Sequence, residues 1–284
     1  MINQLIYRFM VGKIECIALL DTVTEYEVKA LIENVNPVIA ESGLAKYGLD
    51  KDGMFSSPYT CLLVNSGDKR VLVDTGMGDL WTPNGKLLDC LLEAGLKPED
   101  IDMVIITHAH GDHVGGNTDK DGKIVFPNAQ WVMAKDEWKF WSNLENLKDF
   151  PPFYLEVVKR KLLPLSDRLR LVEGETEVTR GIFIIPYTGH TPGHQVIAVR
   201  SEGEELLYIS DAMLHPLHVD HPDWCAPHWA DIDWEGVVRS RHALYHRAAT
   251  NNSLVIAFHF NPFPALGHII PTVEGWKWVQ EDIK

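Results

Sequence analysis

The chain of 284 residues carries 26 basic and 40 acidic residues, which gives a net charge of −14, and 45% of its residues are hydrophobic. This composition is typical of a globular protein, and its negative charge argues against nucleic acid as a partner. Lys13 and Glu15 interrupt the apolar run from Val11 to Leu20, and no stretch reaches the roughly 18 apolar residues of a membrane span. We therefore expect neither a signal peptide nor a membrane-bound protein.

The cysteines indicate the compartment. Four are present, widely separated and without a C-x-x-C pair, namely Cys16, Cys61, Cys90 and Cys225. Such spacing is typical of free thiols in a reducing environment rather than of a disulfide framework. The cytoplasm is therefore the expected location.

The first half of the chain mixes strand and helix patterns. Cys61–Val64 and Arg70–Val73 are short apolar runs with turn residues between them, a pattern that predicts a β-hairpin. Gly85–Leu96 has apolar residues at helical spacing, and the β-branched run Ile101–Thr107 predicts a buried strand. Helices are expected within Glu137–Leu165, on either side of the Pro151-Pro152 break.

The second half repeats this mixture. Asp233–Ala249 is predicted to be a helix that begins at Asp231 or Asp233. Three further buried strands are expected at Gly181–Pro186, Glu205–Ser210 and Leu254–Ala257. These elements favour an α/β (α+β) fold in four layers, with two mixed β-sheets flanked by helices. No linker is evident, so we expect one domain over residues 1–284, with two halves of about 1–165 and 166–284.

One motif indicates the chemistry. His108, His110, Asp112 and His113 lie within six positions directly after the predicted strand Ile101–Thr107. Because residues alternate sides on an extended chain, His108 and His110 can point the same way, and Gly111 then allows a sharp turn. Asp112 and His113 can thus face a second point nearby. Imidazole and carboxylate ligands suit zinc, iron or manganese. Polar histidines in a surface loop are the simpler explanation, but four ligand-type residues in this pattern argue against it.

The pattern H-x-H-x-D-H resembles the signature of the metallo-beta-lactamase superfamily. Four further segments match the other motifs of that superfamily in order, at Val71–Gly76, Tyr187–His194, Ile209–Asp211 and Ala257–His259. The resemblance implies a site for two divalent metal ions, zinc or alternatively iron or manganese. It assigns His108, His110 and His190 to one ion, Asp112, His113 and His259 to the other, and Asp211 to both.

The resemblance also implies roles around the ligands. Asp74 and His194 are expected to support the ligands without binding the metals. Asp112 is expected to pass a proton to the leaving group, which would make it catalytic. His268 is an alternative to His259, which we prefer because it directly follows the predicted strand Leu254–Ala257.

Within the superfamily, an aspartate at position 211 is typical of glyoxalase II, lactonases and methyl parathion hydrolase rather than of β-lactamases proper. The segment from His259 to His268 resembles the ending of methyl parathion hydrolase and of quorum-quenching lactonases. The resemblance therefore implies a dinuclear hydrolase in which a metal-bridging hydroxide attacks a small ester, lactone or phosphotriester. The alternatives are a mononuclear iron dioxygenase of sulfur compounds and a glyoxalase II-like thioesterase.

The substrate and the assembly are less constrained by the sequence. A small molecule is the expected partner, and the chain is expected to be a monomer or a homodimer. The long segment after Asp211 is rich in His, Trp and Pro, which favours a loop that closes over the site. Trp224 and His228 from this segment, together with Phe263, are predicted to line the substrate pocket.

Overall fold

A computed structural model describes residues 5–67 and 69–282. In this part of the chain, the strands form two seven-stranded sheets, each ordered along the chain. The first contains β1 Ile6–Val11, β2 Ile14–Glu27, β3 Met54–Asn65, β4 Arg70–Val73, β5 Met103–Ile105, β6 Gln130–Ala134 and β7 Leu169–Val172. The second contains β8 Thr176–Thr179, β9 Ile182–Pro186, β10 Gln195–Ser201, β11 Glu204–Tyr208, β12 Leu254–Ile256, β13 Leu266–Thr272 and β14 Gly275–Gln280.

Both sheets are mixed. In the first, β1 to β4 pair antiparallel and β4 to β7 pair parallel. In the second, the parallel pair β11 and β12 lies between antiparallel neighbours. Parallel strands end at the same edge of a sheet, so the loops after β4 and β5 meet, as do those after β11 and β12.

Helices flank the two sheets, and one short helix carries part of the H-x-H-x-D-H segment. Their bounds are α1 Pro37–Lys46, α2 Leu87–Glu93, α3 Gly111–Val114, α4 Lys135–Ser142, α5 Pro152–Val157, α6 Leu217–Asp220 and α7 Trp234–Asn251. The Asp233 side chain accepts a hydrogen bond from Gly236 N and so begins α7, and left-handed Asn252 ends it. Within the described residues, no helix combines the length and the apolar character that crossing a bilayer requires.

The main core lies between the two sheets. Alternate residues of β10 show this, because Ile197 and Val199 belong to the cluster shared with the first sheet, whereas Val196 and Ala198 face outwards. The outward residues pack with Leu244 of α7. The predicted sandwich of two mixed sheets between helices is therefore confirmed.

The element predictions differ from the structure mainly at the boundaries. The hairpin is present as β3 and β4, with Leu62 paired to Val73. The predicted helix Gly85–Leu96 is the shorter α2, and the predicted strand Ile101–Thr107 is the shorter β5. The chain passes from the first sheet to the second between Val172 and Thr176, because β7 still pairs with β6.

Candidate metal centre

The H-x-H-x-D-H segment begins where β5 ends, and the end of β4 fixes its start. Asp74, directly after β4, accepts hydrogen bonds from Thr107 N and from Thr107 Oγ1, each with a length of 2.8 Å. Helix α3 begins at Gly111, where a Cβ atom would lie 3.0 Å from both Phe153 and Trp81. A larger residue at this position would therefore push against the wall of the site.

The loops of the second sheet supply the remaining candidates. His190 follows β9, Asp211 follows β11 and His259 follows β12. All three side chains are buried. The parallel pairing of β11 with β12 places Asp211 and His259 at one edge, opposite the H-x-H-x-D-H segment.

The seven predicted ligands come together in two adjoining groups. The first group contains His108, His110, His190 and Asp211, and the second group contains Asp112, His113 and His259. In each group the possible ligand atoms all lie within 4.8 Å of one another.

Asp211 lies between the two groups. Its Oδ2 atom is 3.3 Å from Nε2 of His190 and 3.3 Å from Nε2 of His259. Its Oδ1 atom is 3.1 Å from Nε2 of His113. One carboxylate thus reaches imidazoles of both groups, as a bridging ligand must.

Hydrogen bonds fix the orientation of three of the imidazoles. Nδ1 of His113 donates to Asp74 over 2.8 Å, and Nδ1 of His190 donates to Asp231 over 2.8 Å. Nδ1 of His259 lies 2.9 Å from Oγ of Ser57. Where Nδ1 donates to a carboxylate, as in His113 and His190, Nε2 is the ring atom left to bind a metal at the centre.

The site fits a pair of metal ions. Nε2 of His108 and Nε2 of His113 are buried without a hydrogen-bond partner, although burying an unpaired polar atom is costly. A cation between these nitrogens and the carboxylates would satisfy them. Nitrogen and carboxylate ligands are those that zinc accepts, with iron and manganese as alternatives.

The electrostatics also favour a cation. Burial opposes the ionisation of Asp211, yet the neighbouring His113, His259 and His108 imidazoles hold the pKa of its carboxyl well below the usual range. Burial, with help from neighbouring imidazoles, lowers the pKa values of His108 and His110 well below normal. An ionised Asp211 carboxylate therefore faces neutral imidazoles at His108 and His110. Burial opposes the charged form of His113 and His190 as well, yet the neighbouring Asp211 carboxylate raises the pKa of both, that of His190 to about 9. A metal that binds these two imidazoles must displace their protons.

The structure also places the predicted supporting residues. Asp74 contacts His113, as described above, and accepts a further hydrogen bond from the Tyr208 hydroxyl. His194 donates from Nδ1 to Tyr187 O and accepts at Nε2 from the backbone N–H of Asp211, 3.2 Å away. His268 instead donates to Ser253 O.

Sequence reasoning missed Asp231 and Arg241 as parts of the site. The sequence predicts Asp231 only as a possible start of α7, a role that Asp233 fills. Its Oδ2 atom accepts from Ala226 N, and the buried Arg241 guanidinium lies 3.6 Å away. Arg241 also donates to the carbonyl of Ala212, the residue after Asp211. No local pattern marks either residue, because their roles arise from contacts distant in sequence.

A cavity of about 250 Å³ opens from the centre. His110, Asp112, His190, Asp211 and His259 form its polar end. The rest of its wall is mainly apolar and aromatic, formed by Tyr26, Leu31, Phe55, Trp81, Phe153, Tyr154, Leu214 and Trp229. Among the described residues that line it there is no lysine or arginine. Such a wall suits an uncharged ligand.

The residues predicted to line the pocket, Trp224, His228 and Phe263, do not line this cavity. Trp224 is buried and stacks on His221, with ring centroids 3.9 Å apart. His228 stacks on Trp234 at 4.0 Å. Phe263 is buried in the main core. These rings pack against near neighbours instead, and the aromatic residue of the His-, Trp- and Pro-rich segment that lines the cavity is Trp229.

Comparison with known proteins identifies the family. Residues 57–250 match the model of the metallo-beta-lactamase superfamily, which is more than half of the chain, and the chain belongs to that superfamily. The resemblance inferred from the motifs is thereby confirmed.

Individual relatives are lactonases and hydrolases. An N-acyl homoserine lactonase of Bacillus cereus is 25% identical over 182 residues, which cover 57% of this chain and 66% of that relative. The chain spans less than two thirds of the length of the lactonase relatives that it matches, with values from 59% to 66%.

Two solved structures extend the similarity over the whole fold. AidC, a dizinc quorum-quenching lactonase in complex with a product, N-hexanoyl-L-homoserine, has a TM-score of 0.86 and 26% identity, with 98% of each chain covered. The hydrolase AbOPH of the beta-lactamase superfamily has a TM-score of 0.88 and 27% identity, again with 98% of each chain covered.

Proposed function

We propose that this protein is a dinuclear metal-dependent hydrolase that cleaves the ester bond of a small, uncharged substrate. N-acyl homoserine lactones are the favoured substrate class. One observation carries the proposal. The seven candidate ligands form two groups that Asp211 links, and this centre opens into a mainly apolar and aromatic cavity. The names of the lactonase relatives agree with this chemistry.

The residues that would hold the ions are the two groups described above, with Asp211 shared. When bound, two divalent ions lower the pKa of water enough to supply a nucleophile at neutral pH and polarise the bond that is attacked. The remaining chemistry belongs to side chains of this chain, which must orient the substrate and move a proton.

Asp112 is the proposed proton carrier. Its Oδ2 atom lies 3.5 Å from Nε2 of His259, and the side chain lines the cavity. It is 9% exposed, so a bound substrate can reach it. We propose that Asp112 accepts a proton as the nucleophile attacks and delivers it to the leaving alkoxide.

Tyr26 is proposed to orient the substrate. Its ring lies edge-on to His259, with centroids 6.4 Å apart, and lines the same cavity. Burial and the nearby Asp112 carboxylate raise the pKa of its phenol well above the usual value, so the hydroxyl keeps its proton. The hydroxyl contacts Tyr59 OH. We propose that the Tyr59 hydroxyl is the donor in this contact, which leaves the single Tyr26 proton for a hydrogen bond to a substrate oxygen.

The test is proton release by zinc-loaded protein on addition of N-hexanoyl homoserine lactone, with an aryl phosphotriester and a thioester assayed in parallel. Turnover of the lactone that is lost in Asp211→Ala would support the proposal. Turnover of the thioester alone would favour a glyoxalase II-like activity. Oxygen consumption with a single iron per chain would favour the dioxygenase.

A further inference from the structure

The buried carboxylate of Glu137 joins two separate loops. Glu137 lies in the first turn of α4 and is 0% exposed. Its Oε1 atom accepts hydrogen bonds from Ala109 N over 2.9 Å and from Trp141 Nε1 over 2.7 Å. Its Oε2 atom accepts from Thr191 Oγ1 over 2.7 Å and from Gly193 N over 2.8 Å.

These partners lie beside three metal-ligand candidates of one group. Ala109 stands between His108 and His110, and Thr191 directly follows His190. The indole of Trp141, which donates to the same carboxylate, packs against the His110 ring with centroids 5.5 Å apart. One side chain thus contacts the segments that hold all three imidazoles of the first group.

The contact between these segments leaves little room for adjustment. A Cβ atom on Gly193 would lie 2.2 Å from Glu137 N, so the two backbones touch at this position. Both Glu137 oxygens accept two hydrogen bonds each, which uses the full capacity of an ionised carboxylate. The hydrogen bonds given above connect Glu137 to neither His113 nor His259 of the second group.

We propose that Glu137 is a positioning residue that sets the spacing of His108, His110 and His190 and thereby the metal affinity of the first group alone. This inference rests on the proposed two-metal function. A merely structural role would destabilise the fold and weaken both metal sites together. Loss of metal affinity at the first group alone, as opposed to loss at both groups, separates the two possibilities.

The test is zinc binding to the full chain, measured by competition with a chromophoric chelator. Glu137→Gln keeps the size of the side chain but points an amide N–H₂ at two donors. Two backgrounds isolate the sites, because His113→Ala removes a ligand of the second group and His108→Ala removes one of the first. The exposed neighbour Asp136 provides the matched control, Asp136→Asn.

We expect Glu137→Gln to weaken zinc binding about 10- to 100-fold in the His113→Ala background and not to change it in the His108→Ala background. Asp136→Asn should change neither. Equal loss in both backgrounds, or no loss in either, would overturn the proposal. Thr191→Val removes a single donor to Glu137 and should weaken the same site more mildly, so it tests the proposal if Glu137→Gln does not fold.

Zinc titration of the unmodified chain tests the proposed dinuclear function separately from the role of Glu137. If the unmodified chain binds fewer than two zinc ions, the proposed dinuclear function fails. If it binds two and Glu137→Gln binds both with unchanged affinity, only the role of Glu137 is refuted.

Discussion

His190 donates a hydrogen bond from Nδ1 to Oδ1 of Asp231 over 2.8 Å, at a point where both side chains are buried. The Asp231 carboxylate is in turn held by Ala226 N and lies 3.6 Å from the Arg241 guanidinium. Such a contact fixes the tautomer of a ligand histidine and raises its basicity. We therefore expect the affinity of the first group for metal to depend on Asp231, a residue that lies outside the group.

Asp231→Asn should weaken the binding of one zinc ion. The amide keeps an oxygen for His190 but loses the negative charge, so we expect an affinity loss of about 10- to 100-fold. Isothermal titration against a competing chelator measures this loss. Asp233→Asn is the matched control, because Asp233 begins α7 without touching His190. Unchanged zinc affinity in Asp231→Asn would contradict the assigned role.

Asp112→Asn tests proton transfer. The amide can still bind a metal through its oxygen but cannot carry a proton, so kcat should fall about 100-fold or more while two metals remain bound. Steady-state kinetics on the lactone, with metal content measured on the same sample, provides the comparison. A variant that retains both metals and the full rate would rule out Asp112 as the proton carrier.

Tyr26→Phe tests the hydrogen bond to the substrate. Removing one donor should lower kcat/KM about tenfold, which corresponds to about 1.4 kcal/mol, with metal content unchanged. Tyr59→Phe is the control, because it removes the phenol that contacts Tyr26 but not the proposed donor itself. If Tyr26→Phe hydrolyses the lactone as well as the wild type does, the phenol does not assist the reaction.

Glu205 provides a pH-dependent test of stability away from the metal centre. Burial opposes its ionisation, yet hydrogen bonds from Arg247, Asn251, Ser253 and Arg200 lower its pKa from 4.5 to about 2. A depressed folded-state pKa stabilises the protein above pH 4.5, and this contribution is lost as the pH falls towards 2.

Glu205→Gln should therefore reduce the free energy of unfolding at pH 7 by about 2 kcal/mol, after allowance for solvent screening. The difference from wild type should shrink between pH 4.5 and pH 2. Urea unfolding at a series of pH values measures it, with the exposed Glu235→Gln as the control. A difference that stays constant down to pH 2 would show that Glu205 does not act through its charge.

The sequence was most informative where candidate ligand residues follow strands directly. The motif from His108 to His113, and the residues His190, Asp211 and His259, come together because each lies just beyond a strand at the same edge of the sandwich. Strand ends and residue types are local properties that a sequence shows directly. The order of the five motifs, which the family resemblance explains, then indicates that they belong to one site.

The parts that the sequence did not reveal depend on contacts between distant segments. Tyr26 and Phe55 reach the cavity because the pairing of β2 with β3 continues to Glu27, and no local pattern marks that pairing. Glu137 and Asp231 are ordinary acidic residues in the sequence, yet the fold buries both beside ligand loops. Trp224 and His228 were expected in the pocket because they follow Asp211 in the chain, whereas stacking on nearby rings decides their position.

The most direct test of the dinuclear centre is anomalous diffraction at the zinc edge from crystals of the zinc-loaded protein. If the proposed centre is correct, two peaks about 3.5–4 Å apart are expected, one beside His108, His110 and His190 and the other beside Asp112, His113 and His259, with Asp211 between them. A single peak, or peaks away from these residues, would contradict it.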